Sequence, residues 1–271
     1  MTTEPALDSL AKSLLAAYDA EIRTRLSVHN PERETVEKVG PVVRKTTTGG
    51  RGFITYRDLG DLGGSELDTF IAAQRDHFTA LGLSVEWKYH SYDSPADLPD
   101  RLTAAGFVPE AAETLALGEA IDLAVASRLP DSVTLRELSA AADLERVRLL
   151  EEAVWGFDHS WLPEALAAEI GSTTDPVVVI GAEHGEDLVC AAWVRMHTGT
   201  QFASLWGGST MPEWRGKGIY RATVARRAQL SLARGFDKLQ VDSSPDSAPI
   251  LTRLGMTAVA KTIPYVWNPP A

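Results

Sequence analysis

Apolar positions recur along this chain with two periods, and the places where the period changes mark its elements. "VTLREL", Val133 to Leu138, alternates as a strand does, whereas "SAADLERVRLLEEAVWG" has helical spacing, with Ser139 as the expected N-cap and Gly156 as the stop. A shorter helix, "LPEALAAEI", follows. Three strand-like runs come next, "PVVVIGAE", "DLVCAAWVRMH" and "QFASLWGGST", joined by the glycine-containing loops "HGE" and "TGT". Short loops of that kind predict an antiparallel meander. Ile219, Ala222, Ala225, Ala228 and Leu232 then share one stripe of a helix running from Gly218 to Gly235. "KLQVDSS" is reached across that helix, so it is expected to lie parallel to the strand before it. "APILTRLG" predicts a short helix and "MTAVAKTIPYVW" a closing strand.

The first half repeats much of this order. "VGPVVRKTT" and "GFITYRDL" predict a hairpin, "SELDTFIAAQRDHFTALG" a helix, "LSVEWKYHSY" a strand and "SPADLPDRLTAAGF" a short helix before "VPEAAETLAL". The tails "VEWKYHSYDSPADLPDRLTAAGF" and "LQVDSSPDSAPILTRLGM" both run strand, proline-containing turn, short helix with an Arg-Leu pair, then glycine. This predicts an internal duplication, with domains at 1–128 and 129–271 and a linker near Ala126 to Ser132. The N-terminal stretch is amphipathic, with Leu7, Leu10, Leu14 and Leu15 at helical spacing, and is neither a signal peptide nor a membrane span. A single cysteine, Cys190, in an apolar run excludes an internal disulfide and fits a buried thiol in a reducing cytoplasm.

Charge changes the picture. The formal net charge is −11, yet six cations (Arg215, Lys217, Arg221, Arg226, Arg227, Arg234) lie between Trp214 and Gly235 without one acid. The remaining twenty basic residues face thirty-seven acids, a balance of −17. A solvated helix face usually mixes signs, because like charges one turn apart repel. A strand ending near Thr210, a turn carrying Gly216 and Gly218, and a helix start would gather unpaired N–H groups, a positive helix end and the cations Arg215, Lys217 and Arg221. The expected guest is a phosphate or pyrophosphate. "RGKG" has neither P-loop nor dinucleotide spacing.

The stretch Arg215-Gly216-Lys217-Gly218-Ile219-Tyr220 resembles the acetyl-CoA signature Q/R-x-x-G-x-G/A of the Gcn5-related N-acetyltransferase (GNAT) superfamily. Arg215 and Gly218 match it, while Tyr220 replaces the small last residue and implies a bulkier wall beside the cofactor. Pro212, "FASLWGGST" and "PILTRLGM" are also similar to the family, over roughly Val133 to Trp267. The resemblance implies an α/β (α+β) protein of two GNAT-like domains, each a mixed, mostly antiparallel, splayed sheet flanked by helices. It implies pyrophosphate on the turn, and pantetheine pairing like an added strand with Gly208, Ser209 and Thr210. It also implies direct attack of an amine on a thioester polarised by a backbone N–H.

Two proton-handling positions depart from that pattern. Where many family members place a tyrosine in the last short helix this chain has Leu251; Tyr220 and Tyr265 are the candidate donors by location. Asp242 is the candidate base, though "VDSSPDS" is equally Asx and Ser turn chemistry, and Ser244 stands where the family often has Asn beside pantetheine. His159, His184 and His197 lack metal-ligand spacing, so no metal is expected. Trp161 and Trp206 are candidates to line a pocket for a flat or cationic amine. In the first half, "LGDLGGSELDTF" puts Asp61, Glu66 and Asp68 at the corresponding helix start, so that copy is expected to bind no CoA.

The leading expectation is an acetyl-CoA-dependent N-acetyltransferase acting on a primary amine of a small molecule in the cytoplasm, with no nucleic-acid or membrane partner and with homodimerisation left open. A non-catalytic acyl-CoA-binding module and a tandem acetyltransferase similar in layout to mycothiol synthase are the alternatives. A nucleic-acid patch is disfavoured because the rest of the surface would repel a polyanion.

Overall fold

The computed structural model describes residues 7–125 and 127–270. The first six residues of the expected N-terminal helix, and Ala126 of the expected linker, lie outside the described residues. Twelve strands and eight α-helices are found among them, and they gather into two compact units. Unit 1 comprises 1–116, 242–248 and 258–271; unit 2 comprises 117–241 and 249–257.

Unit 1 begins with α1 (Ser9–Glu21), whose N-cap is Asp8, accepting from Ala11 N at 2.8 Å. Its buried stripe is Ala11, Leu14 and Tyr18; Leu10, expected inside, is half exposed. Three strands follow, β1 (Glu34–Val39), β2 (Val42–Thr47) and β3 (Gly52–Tyr56), where the sequence predicted a two-stranded hairpin. The missed strand, "ETVEKV", buries neither face, so it carries no apolar alternation to read. Then come α2 (Gly64–Ala80), β4 (Val85–His90), α3 (Leu98–Ala104), the two-residue β5 (Val108–Pro109) and β6 (Glu113–Glu119), of which residues 113–116 belong to this unit. β2 and β3 are antiparallel, and β3 and β4 are parallel across α2.

Unit 2 contains α4 (Ala120–Leu123), β7 (Val133–Leu138), α5 (Ala141–Trp155), α6 (Leu162–Ile170), β8 (Val177–His184), β9 (Asp187–Met196) and β10 (Phe202–Thr210). A 3₁₀ turn (Pro212–Trp214), α7 (Ile219–Ala233), β11 (Lys238–Ser243), α8 (Ala248–Arg253) and β12 (Thr257–Trp267) complete the chain. The predicted meander is present, with β7, β8, β9 and β10 antiparallel in turn and β11 parallel to β10 across α7. The antiparallel pair followed by a helical crossover to a parallel strand therefore occurs in both units. Gly156, at φ 77°, ends α5 as expected, but its N-cap is Ala140 rather than Ser139 and makes no side-chain bond.

Three segments depart from a single cut at 128/129: 117–128 lies in unit 2, and 242–248 and 258–271 lie in unit 1. The closing strand β12 pairs antiparallel with β4, from Thr262 opposite His90 to Trp267 opposite Val85, and so lies in unit 1. The strand that chain order would put beside β4, β6, lies on the other side of β12. Neither the alternation of β12 nor its length encodes that choice of neighbour.

Each unit has its own core. In unit 1 Trp87, Tyr56, Phe78, Phe107 and Ile54 are fully buried, and a Cβ on Gly52 would fall 2.1 Å from the Phe78 ring. In unit 2, Ala191 and Trp193 pack against α5 and α6, whereas their neighbour Cys190 packs with Ile219 of α7. Two sheet faces, one under α5 and α6 and one under α7, follow from that alternation. No helix among the described residues is long and apolar enough to cross a membrane.

Unit 1 also buries a polar network. Arg23, 4% exposed, donates to Tyr56 O at 2.8 Å, pairs with Asp93, and lies over the rings of Tyr56 and Tyr92 at 5.3 and 4.9 Å. Tyr56 also donates its hydroxyl to Asp93. The substitution Asp93→Asn leaves the buried guanidinium with only Asp19, 3.5 Å away and partly exposed, as a counter-charge, and urea denaturation should show a loss of about 3 kcal/mol. An unchanged midpoint would refute that role for the pair.

Candidate active site

The β10 strand parts from its neighbour. Phe202, Ala203 and Ser204 pair with Lys238, Leu239 and Gln240 of β11, and beyond Ser204 no further pairing with β11 is found among the described residues. β10 nevertheless runs on to Thr210, so a stretch of strand edge stands free on that side. On its other side the register with β9 slips between Gly207 and Ser209, making Gly208 the extra residue of a bulge. Gly208 has φ 94°, and a Cβ there would meet the Tyr220 ring at 2.6 Å. The glycine and the tyrosine that replaces the family's small residue are thus complementary.

Directly after this edge comes the turn into α7. Gly216 and Gly218 have φ 73° and 82°; Gly218 is the N-cap, with no side-chain bond to the first turn and no acid within it. The first N–H groups of α7 have no intrahelical partner, and the helix dipole adds positive potential there. This is a built place for an anion, and the free edge beside it can hold an extended amide chain as an added strand.

The six cations divide three ways. Arg215, Lys217 and Arg221 are exposed around the start of α7. Arg215 Nε donates to Thr210 O at 3.0 Å, and Lys217 Nζ sits 4.4 Å above the Trp214 ring. Arg226 pairs with Glu137 at 3.0 Å, and Arg234 is exposed beyond the far end of the helix. Arg227 is 1% exposed. Its Nη1 donates to Trp206 O at 3.0 Å and Trp193 O at 3.3 Å, its Nε to Thr223 O at 3.1 Å, and its Nη2 has no partner. Burial pulls its pKa below the usual arginine value, against the influence of Tyr220 and Cys190. The anion-facing set is therefore three cations, and Arg227 instead ties together the backbone at the bulge.

On the α5 face lies a second buried charge that the sequence analysis did not single out. Glu151 is 3% exposed; its Oε2 accepts from Ser209 Oγ at 2.7 Å and from Trp155 Nε1 at 2.9 Å, and its Oε1 has no partner. Burial raises its pKa above the ordinary glutamate value, opposed by these two donors and by His159. In the sequence "LLEEAVWG" it is one of two adjacent acids on a helix; only its position on the α5 stripe at Leu144, Val147 and Glu151 could have marked it as inward-facing. Thr210 donates to Cys190 Sγ at 3.2 Å, and burial pushes the Cys190 thiol up to about 11, consistent with an inert thiol.

The other expected site residues lie in unit 1. Asp242 is held by Lys88 at 3.2 Å and by Thr262 Oγ1 at 2.9 Å, so its carboxylate is already engaged. Burial works against the Lys88 charge, but Asp242, Glu113 and Glu86 raise its pKa above the usual lysine value. Ser244 shares a turn with Ser247, their hydroxyls 3.1 Å apart, and Tyr265 is a core residue 6.1 Å edge-on to Tyr89. Ten expected residues, Gly208 to Thr210 and Arg215 to Arg221, form one continuous corner of unit 2. Leu251 is fully buried. Among the described residues no group of side chains could hold a metal ion.

Solved structures resemble this chain along most of its length. A GCN5-related N-acetyltransferase from Kribbella flavida superposes with a TM-score of 0.63 at 14% identity, covering 97% of this chain and 95% of its own. A tandem GNAT protein from the clavulanic acid biosynthesis pathway gives 0.65 at 14% identity, with 89% and 86% covered. This chain has the GNAT fold. A functionally unknown conserved protein from Staphylococcus epidermidis is similar too, at 0.64 and 12% identity over 93% of this chain and 98% of its own. No protein-family model and no curated protein matches the sequence. In this GNAT fold the splayed edge of β10 and the start of α7 are features of the backbone, and Gly208 sets their spacing.

Gly208→Ala should therefore cost stability twice, through positive φ and through the Tyr220 ring, by about 2 kcal/mol in all. Adding Tyr220→Ala should return part of the loss in a double-mutant cycle read by urea denaturation. Strictly additive effects would show that ring and bulge are not coupled.

Proposed function

We propose that this protein is an acetyl-CoA-dependent N-acetyltransferase that transfers an acetyl group to a primary amine of a small molecule by direct attack, with one working site, in unit 2. The observation that carries the reading is the free edge of β10 running into a glycine-capped, acid-free helix start. The start of α7 would take the pyrophosphate, with Arg215, Lys217 and Arg221 around it. Gly208, Ser209 and Thr210 would hold the pantetheine amides, and a backbone N–H of the bulge would polarise the thioester carbonyl. Tyr220, against Gly208, is the phenol placed to protonate the departing thiolate. The corresponding helix start in unit 1, at Gly63 and Gly64, has Glu66 in its first turn. Arg101, which reaches that helix start, is bound to Asp68, Asp97 and Gly64 O rather than to an open anion site.

A second reading, an acyl-CoA-binding module without turnover, is favoured by one observation: Leu251, at the family's tyrosine position, is fully buried and offers no proton. Thiol release from acetyl-CoA across a set of amines separates the two, since a module binds the cofactor and releases no thiol in response to amine.

Reversing Arg215 and Lys217 to Glu should weaken acetyl-CoA binding about tenfold or more, because the charges stand at a helix N-terminus that an anion would occupy. Reversing Asp61 and Glu66 to Lys should change it little. Calorimetric titration with acetyl-CoA checks both, and unaltered affinity in the first variant would remove the basis of the reading.

A further inference from the structure

A carboxyl group inside a protein usually has a cation or a full set of donors, because an unpaired buried charge is costly. Glu151 has neither: two donors reach Oε2, none reaches Oε1, and no lysine or arginine pairs with it among the described residues. Its position is tied to the free strand edge. Ser209, the residue that closes the bulge, donates to Glu151 while its oxygen takes a hydrogen bond from Trp155 Nε1 at 2.9 Å. The carboxyl thus lies one side chain behind the edge along which the thioester arm would run.

Beside it the chain spends apolar surface on solvent. Trp155 is 54% exposed, Phe157 61% and Trp161 59%, all within the last turn of α5 and the segment leading into α6. Phe157 and Trp161 flank the His159 ring, with centroids 4.5 and 6.3 Å away. Trp206 is 43% exposed and is opposite Trp193, whose ring packs under α5, so it belongs to the same face of the sheet. Ring faces attract cations and flat apolar groups, and a cluster of exposed rings on an otherwise acidic protein is a surface built for contact.

We propose that Glu151 is the catalytic base of this site and that Trp155, Phe157 and Trp161 hold an acceptor of one class, a primary amine carried on an aromatic body. This rests on the acetyl-transfer reading of the same corner. The ammonium of the acceptor gives one proton through the Ser209 hydroxyl, which passes its own to the Glu151 carboxylate, and the nitrogen lone pair attacks the thioester carbon to form the C–N bond. Collapse of the tetrahedral adduct breaks the C–S bond, whose electron pair leaves on sulfur. The thiolate takes a proton from the Tyr220 phenol, which recovers it from the nitrogen, and protonated Glu151 returns its proton to water.

The base must be ionised to act, and burial raises the pKa at which it ionises, so kcat/KM should increase with pH through that raised value. The groups facing it are Ser209 on β10, Trp155 on its own helix and His159 on the following segment, while Cys190 on β9 feels its charge from the other face of the sheet.

Thiol release from acetyl-CoA with 2-phenylethylamine, tryptamine and spermidine, between pH 6 and 9, tests the assignment. The aromatic amines should exceed spermidine in kcat/KM by about tenfold. Glu151→Gln should lower kcat at pH 7 by about 10²-fold or more, recovering toward high pH as free amine accumulates, while acetyl-CoA affinity stays within about twofold by calorimetry. Glu151→Asp should restore part of the rate. Phe157→Ala should raise KM for tryptamine with a smaller change in kcat. A Glu151→Gln enzyme with unchanged rate and pH profile overturns the base. Preference for spermidine overturns the acceptor class, whereas acetyl-CoA binding with thiol release to none of these amines overturns turnover at this site and favours the binding module. Failure of the wild-type chain to bind acetyl-CoA instead overturns the acetyl-transfer reading beneath it.

Discussion

Everything in the site depends on β10 leaving β11 after Ser204. A strand edge released from its ladder exposes amide groups that need partners, and sheets normally avoid leaving them so. Here the backbone is held open by a bulge at Gly208, by the Tyr220 ring seated on that glycine and by Arg227 beneath it. The guanidinium supplies bonds to two carbonyls, from Trp193 and Trp206, that the slipped register presents to it. A buried cation with no carboxylate is a costly device. Its presence where β10 parts from β11 argues that the opening is a feature the fold maintains.

The electrostatics on the two faces of this edge are opposite in sign. Under α7 lie the helix start and its exposed cations, suited to an anionic cofactor. Under α5 lies Glu151, clamped by Ser209 and Trp155 and raised in pKa by burial, suited to a cationic acceptor. One strand edge then has the exposed cations of the α7 start on one face and Glu151 on the other, and Ser209 and Thr210, consecutive residues, point to the two sides. An acidic protein with a local basic island is what such a division looks like in composition alone.

Unit 1 repeats the antiparallel pair and parallel crossover but not the chemistry. Its helix start has an acid where α7 has none, and its polar interior, centred on Arg23, Asp93, Tyr56 and Tyr18, is closed upon itself. Burial, together with Arg23 and Lys88, pushes His90 down to about 2, so it stays neutral and its Nε2 lies 3.1 Å from the Tyr18 hydroxyl. These contacts hold a fold together and leave no open donor array of the kind that marks the start of α7.

The sequence by itself determined the meander, the parallel crossover and the glycine turn into α7, because each rests on short-range rules. Hydrophobic period, glycine at positive φ and the orphan donors of a helix start all operate within a few residues. It could not determine β1, whose residues bury no face, or the neighbour of β12, because alternation states which face is buried and not which strand lies alongside. The same limit governs the side chains. Arg227 and Arg226 are adjacent and chemically identical, yet one is buried under the bulge and the other pairs at the surface. Asp242 was legible as a carboxylate at a strand end, but only packing sets Lys88 against it. Glu151 was one acid of a helix until the fold buried it behind Ser209. Charge is written in the chain; whether water, a counter-ion or a substrate answers it is decided by what tertiary structure places within hydrogen-bonding reach.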